Sequence, residues 1–228
     1  TGEGPAQAIS YSHVYRTTFV GRDAELRQLH DAFDNVLSGE GALAVVVGEP
    51  GIGKSSLCDR LSTHVALRGG VTLTGHCYEE GSVSLPYLPF VEVLRAHVKS
   101  QDPDALRTQL GSGASALARI VVEIRELLGV NPRPPVDPEE DRYHLMQSVA
   151  SALRNAADVR PLLIVIEDLH NADKGTLDML THVARGLSGA RLLVVGTYRD
   201  VEVHRGHPLS EALTELRRVT PVTRISLR

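Results

Sequence analysis

From Asp23 onward, apolar residues recur at helical spacing (Leu26, Leu29, Phe33, Val36, Leu37), and Gly39 and Gly41 end the pattern. Ala42 to Val47 is then a short, continuously apolar run that stops at a glycine-rich turn. A run with no polar alternation predicts a strand covered on both faces, as in parallel sheets. Leu57, Leu61 and Val65 give the next helix one apolar face, closed by Gly69 and Gly70, and Val71 to Cys77 predicts a second strand. The chain has by then made a strand, helix, strand unit.

The stretch from Pro86 to Ala157 predicts mainly helix. Leu117, Ile120, Val121, Ile124, Leu127 and Leu128 form an amphipathic stripe suited to core packing, and Pro132, Pro134 and Pro135 mark a loop. Asp137 before Pro138 and Glu139 is a helix start, continued by Met146, Val149, Ala150 and Leu153. Leu162 to Ile166 is a third apolar strand ending in Glu167 and Asp168. A helix over about 173–187 follows, then a strand from Arg191 to Thr197 with Arg199 beyond its end. Pro208 opens a last helix, carrying Leu209, Leu213 and Leu216, and Val222 to Leu227 predicts a last strand. Such alternation predicts an α/β fold: a three-layer α/β/α sandwich around a parallel sheet, with a helical insertion, residues 86–158, between the second and third strands. Residues 1–17 are polar, carry Gly and Pro, show no period and read as a linker outside the fold. Residues 18–228 read as one domain.

Composition changes this picture little. With 228 residues, 42% hydrophobic and 23% charged, the chain has the makeup of an ordinary globular domain. The formal charge of −4, from 24 Lys+Arg against 28 Asp+Glu, has the wrong sign for a surface that grips phosphate backbones, so no nucleic-acid partner is expected. Cys58 and Cys77 lack ligand spacing and predict buried structural thiols. No apolar run reaches membrane-spanning length and no secretory signal opens the chain, so no membrane partner is expected and a cytoplasmic location is.

Candidate chemistry begins at Gly48-Glu49-Pro50-Gly51-Ile52-Gly53-Lys54-Ser55, which fits the P-loop pattern G-x-x-x-x-G-K-S/T between a predicted strand and a predicted helix. Glycines let backbone N–H groups turn toward phosphate oxygens, and the helix starting near Lys54 adds its positive dipole end. Lys54 supplies a charge to the β/γ-phosphates, Ser55 a hydroxyl for Mg²⁺, and Ser56 follows in the same turn. Average residue usage makes an accidental match roughly a one-in-a-hundred event, and lysine occurs here only at Lys54, Lys99 and Lys174. The fold class expected is therefore that of P-loop NTPases.

Glu167 and Asp168 end a strand where open parallel sheets form their ligand crevice. One carboxylate there suits Mg²⁺ and its neighbour the attacking water. An acidic pair after a strand is elsewhere a solvated turn or a cap, and it gains meaning only beside the P-loop. Arg199, at a strand end, is suited to the γ-phosphate or equally to a surface ion pair. His204 and His207 lie in a polar loop without a third ligand and read as solvated.

Four segments occur in a telling order: Phe19-Val20-Gly21-Arg22, Gly48 to Ser55, Ile166-Glu167-Asp168-Leu169-His170-Asn171-Ala172-Asp173, and Gly196-Thr197-Tyr198-Arg199-Asp200. Together they resemble the signal-transduction ATPases with numerous domains, the STAND class, and within it the bacterial branch found in large LuxR-type regulators and beside adenylate cyclases. The likeness runs from about Thr18 to Leu227 and includes Cys77-Tyr78-Glu79 and Leu85 to Phe90. It implies an ASCE/AAA-like core in which Val20, Gly21 and Arg22 line the adenine side and Lys54 and Ser55 hold phosphate and Mg²⁺. Glu167 becomes the first acid for Mg²⁺, Asp168 the hydrolytic acid and Arg199 the phosphate sensor. Glu167 stands where the family commonly has Asp, and Asn171 where it commonly has Trp. The family follows this core with a helical or winged-helix part that contacts ADP. A chain ending at Arg228 is on that basis expected to bind nucleotide more weakly and to turn over slowly.

The resemblance implies a regulatory ATPase module taking ATP/ADP and Mg²⁺, with the other domains of a longer protein as partners and nucleotide-dependent self-association left open. The P-loop itself does not choose ATP over GTP. Two alternatives stand beside it: a nucleotide-binding scaffold with little hydrolysis, and an AAA+ ATPase of the origin-recognition or clamp-loader type.

Overall fold

The computed structural model describes residues 21–79, 85–132, 134 and 137–228. Val20 and the segment assigned above as a linker, residues 1–17, lie outside the described residues, as do Thr18 and Phe19.

The five strands are β1 (Ala42–Val47), β2 (Val71–His76), β3 (Leu162–Glu167), β4 (Leu192–Tyr198) and β5 (Val222–Ser226). They form one parallel sheet in the order β2-β3-β4-β1-β5. The reason is visible strand by strand. In β3, Leu162, Ile164 and Ile166 face one layer of helices while Leu163 and Val165 face the other, and β1 divides Leu43, Val45 and Val47 from Ala44 and Val46 in the same way. A strand apolar on both faces is stable only between two helical layers. One layer is α1 (Asp23–Val36) and α2 (Lys54–Leu67), packed through Leu29, Phe33, Leu57 and Leu61. The other holds α3 (Leu88–Lys99), α7 (Pro138–Val159), α8 (Lys174–Arg185) and α9 (Pro208–Val219). This is the α/β P-loop NTPase fold expected, with the helical insertion in its expected place.

The insertion also contains α4 (Pro103–Leu110), the short α5 (Ala114–Leu117) and α6 (Val122–Leu128). Asp137 caps α7 by accepting from the Glu139 and Glu140 N–H groups, as its place before Pro138 predicts. The single stripe expected from Leu117 to Leu128 is corrected: α5 ends at Leu117, Val121 is extended (φ −122°, ψ 100°) and α6 starts at Val122. Ile120, Val121 and Val122 are three successive β-branched residues, which lose side-chain freedom in a helix and favour the break. Leu117, Val121 and Ile124 still reach the core, whereas Leu127 is largely exposed.

Two positions carry the junction between insertion and sheet. At Gly75 in β2 an added Cβ would lie 2.2 Å from the Pro89 carbonyl oxygen and 2.7 Å from its carbon, so α3 sits on the strand only because no side chain intervenes. His97 of α3 is buried and its Nε2 donates to Gln109 Oε1 of α4 at 2.6 Å.

Gly75→Ala should destabilise the fold by about 1–3 kcal/mol, the usual cost of overpacking against backbone that cannot move; urea denaturation measures it, and an unchanged midpoint would contradict the contact. Burial lowers the His97 pKa. Below the ordinary histidine pKa of about 6.5 the unfolded chain therefore binds a proton that the folded chain resists, and stability falls as pH falls through that value. The melting temperature should be lower at pH 5.5 than at pH 7.5, and His97→Gln should narrow the gap.

Candidate functional site

Parallel register brings the carboxyl ends of the strands to one edge. Val47 pairs with Tyr198, Ile166 with Gly196, and His76 with Glu167. The Gly48 N–H bonds the Tyr198 carbonyl at 3.3 Å and the Leu227 N–H bonds the Val47 carbonyl at 2.8 Å, so the P-loop leaves the sheet between β4 and β5. Gly51 and Gly53 take left-handed φ values of 75° and 103°, which open the loop and let α2 begin at Lys54 with Gly53 as its N-cap. Ser55 and Ser56 are exposed in the first turn of α2, and Glu49 and Pro50 are exposed on the loop.

Lys54 is buried, and its Nζ donates to the carbonyls of Gly48 and Glu49, each at 3.0 Å. Burial lowers its pKa, Asp168, Glu167 and Glu202 oppose that shift, and Arg199 adds to it. The P-loop after β1, the acids at the end of β3 and Arg199 after β4 lie at the same carboxyl edge of the sheet.

Glu167 is the last residue of β3, and Asp168 turns the chain with φ 56° and ψ 47°. Aspartate tolerates that left-handed conformation better than most residues. The Asp168 N–H donates to Thr197 Oγ1 at 3.0 Å, pinning the turn to β4. Asp173 closes the same loop as N-cap of α8, accepting from the Thr176 N–H. Arg199 donates through Nη1 to Glu202 Oε1 at 2.9 Å, within a short 3₁₀ turn, Asp200–Glu202. Arg224 of β5 donates to Asp200 at 2.9 Å, tying that turn to the sheet edge.

On the other flank, Arg22 donates to the Arg228 carbonyl at 2.7 Å and pairs with Glu25 at 3.2 Å, which holds Gly21 and Arg22 beside the end of β5. An open cavity of about 520 Å³ there is lined by Gly48, Glu49, Ile52, Arg224, Leu227 and Arg228, among others. It adjoins the P-loop on the side where Gly21 and Arg22 were expected to meet a base.

The residues present suit a triphosphate with its metal. The N–H groups of the loop suit phosphate oxygens, the exposed Ser55 hydroxyl and the paired carboxylates are the oxygen ligands a hard cation prefers, and the Lys54 amine sits on the same loop. Three residues of this neighbourhood carried no role in the sequence reading. Thr197 and Glu202 are ordinary loop and strand-end residues until the fold places them. His170 stood inside a quoted motif, but its burial was invisible there. His207 differs from its solvated reading: its Nδ1 accepts from the Leu209 N–H and caps α9. Cys58 and Cys77 are buried free thiols, with burial pushing both pKa values up to about 12. No helix among the described residues is long and apolar enough to cross a membrane.

Among known proteins, an uncharacterized protein of Rhizobium meliloti (strain 1021) is 25% identical over 194 residues, covering 79% of this chain and 18% of that protein. The chain thus spans less than a fifth of that relative's length. Solved structures resemble it more distantly. Drosophila ORC bound to DNA matches with TM-score 0.43 at 12% identity, covering 91% of this chain and 93% of that one. The DnaC helicase loader gives 0.40 at 12% identity, covering 92% and 93%, and C. elegans PCH-2 gives 0.41 at 14%, covering 89% and 41%. The AAA ATPase domain family model matches residues 18–195, a span that holds the P-loop and both acids and ends before Arg199. With most of its length matched in this way, the chain belongs to the AAA ATPase domain family.

Proposed function

We propose that residues 18–228 are the ATP-binding and ATP-hydrolysing domain of a larger protein, a nucleotide switch of the STAND type whose state depends on whether ATP or ADP is held. The observation that carries this reading is the convergence of Lys54, Glu167, Asp168 and Arg199 on one edge of the sheet, around a P-loop with an exposed Ser55. Family membership supports nucleotide binding. The greater length of the Rhizobium relative supports a role as one module among several.

In this reading the N–H groups of Gly51 and Gly53 and the N-terminus of α2 take the phosphates, and Lys54 exchanges its two carbonyl partners for β- and γ-phosphate oxygens. Ser55, Glu167 and Asp168 would hold Mg²⁺, which when bound neutralises charge developing on the phosphates. Asp168 orients a water toward the γ-phosphorus. The new P–O bond forms as the bond to the β-phosphate oxygen breaks, releasing ADP and phosphate. Arg199 meets the γ-phosphate only after leaving Glu202, so its contact differs between ATP and ADP. A switch needs such a difference. Gly21 and Arg22 form the adenine side, next to the cavity at β5, and the resemblance assigns Val20 to that side as well. The acidic net charge supports partners other than nucleic acid.

Lys54→Ala should weaken Mg²⁺-ATP binding by about tenfold to a hundredfold, the loss of a charge-assisted phosphate contact. Calorimetry measures this, and unchanged binding would overturn the site. Asp168→Asn should lower phosphate release by about 10²–10⁴-fold while nucleotide still binds. If the unsubstituted chain binds nucleotide through Lys54 yet releases no phosphate above the Lys54→Ala background, the scaffold reading replaces the enzymatic one.

A further inference from the structure

We infer that His170 is a positioning residue that links the acid Asp168 to Arg199 by way of Glu202. The inference rests on the ATPase reading and deepens it.

His170 lies in the single 3₁₀ turn Leu169–Asn171 directly after Asp168, and its side chain is fully buried. Neither ring nitrogen has a hydrogen-bond partner within normal distance among the described residues. Each faces a carboxylate instead: Nε2 is 3.4 Å from Glu202 Oε2 and Nδ1 is 3.9 Å from Asp168 Oδ1. The second oxygen of Glu202 is the one that holds Arg199. Four side chains thus run in series, Asp168, His170, Glu202 and Arg199, from the strand-end acid to the candidate phosphate sensor.

A buried imidazole with both nitrogens unmatched is costly, and beside the fully buried Leu169 an apolar ring would fill the space without that cost. Packing alone therefore does not account for histidine here. Chemistry does. A neutral ring carries one N–H and one lone pair, so of two flanking carboxylates only one is served at a time. With Arg199 on Glu202, that carboxylate has a cation and makes little demand on the ring. With Arg199 drawn to a γ-phosphate, Glu202 loses its cation and competes for the ring N–H. The environment of Asp168 then changes with the position of Arg199. His170 touches no phosphate in this arrangement; it acts through the two carboxylates.

The test is steady-state hydrolysis and nucleotide affinity for His170→Phe, His170→Gln, Glu202→Gln and the double variant H170F/E202Q in the full chain. His170→Phe keeps the ring volume and removes both nitrogens. It should lower kcat by about 10–100-fold, the range for lost orienting partners, while KM and the ratio of ATPγS to ADP affinity stay near the parent values. His170→Gln, which keeps an N–H near the Nε2 position, should recover part of kcat. Glu202→Gln should change kcat more in the parent than in the H170F background, where only its direct hold on Arg199 remains. Parent-like kcat in His170→Phe, or an equal Glu202→Gln effect in both backgrounds, overturns the inference while leaving the ATPase reading intact. Should His170→Phe fail to fold, His170→Leu takes its place in the cycle, and an equal Glu202→Gln effect with and without it refutes the link. A parent with no turnover dependent on Lys54 overturns both readings.

Discussion

A buried ammonium must be given acceptors, and at Lys54 the chain gives it the carbonyls of its own loop. The loop that carries them turns on the left-handed backbone of Gly51 and Gly53 and ends where α2 begins, at Lys54. The strand that precedes the loop has to be covered on both faces, since its last residues meet both helical layers. Amine, loop, sheet and layers are therefore one linked arrangement, and a change at any one alters the place where phosphate would sit.

The carboxyl edge of the sheet turns this arrangement into a site. Parallel strands in register end together, so groups nearly 150 residues apart in sequence come side by side: the P-loop after β1, the acids after β3, and Arg199 after β4. Short polar contacts then set the angles. Thr197 holds the Asp168 turn, Asp200 and Arg224 hold the loop after β4 to β5, and Arg22 holds the opposite flank.

Most of the architecture was legible because it depends on continuous apolar runs, which identify buried strands without knowledge of their neighbours. The P-loop was legible because its spacing is demanded by phosphate geometry. The break after Leu117 was missed, since an apolar stripe records which residues face the core and not whether the backbone between them stays helical; the Ile120-Val121-Val122 run held that information. Thr197, Glu202 and the burial of His170 were not legible, because each acquires meaning from a residue on another strand or loop. His207 looked like a solvated loop residue, and only the start of α9 reveals its capping bond.

The left-handed backbone at Asp168 narrows the chemistry that position can host. Only residues whose side chains are absent or short and polar sit there at low conformational cost. Glutamate, the ordinary exchange for aspartate, brings a longer arm and a greater preference for right-handed backbone, so it would misplace the carboxylate and strain the turn at once.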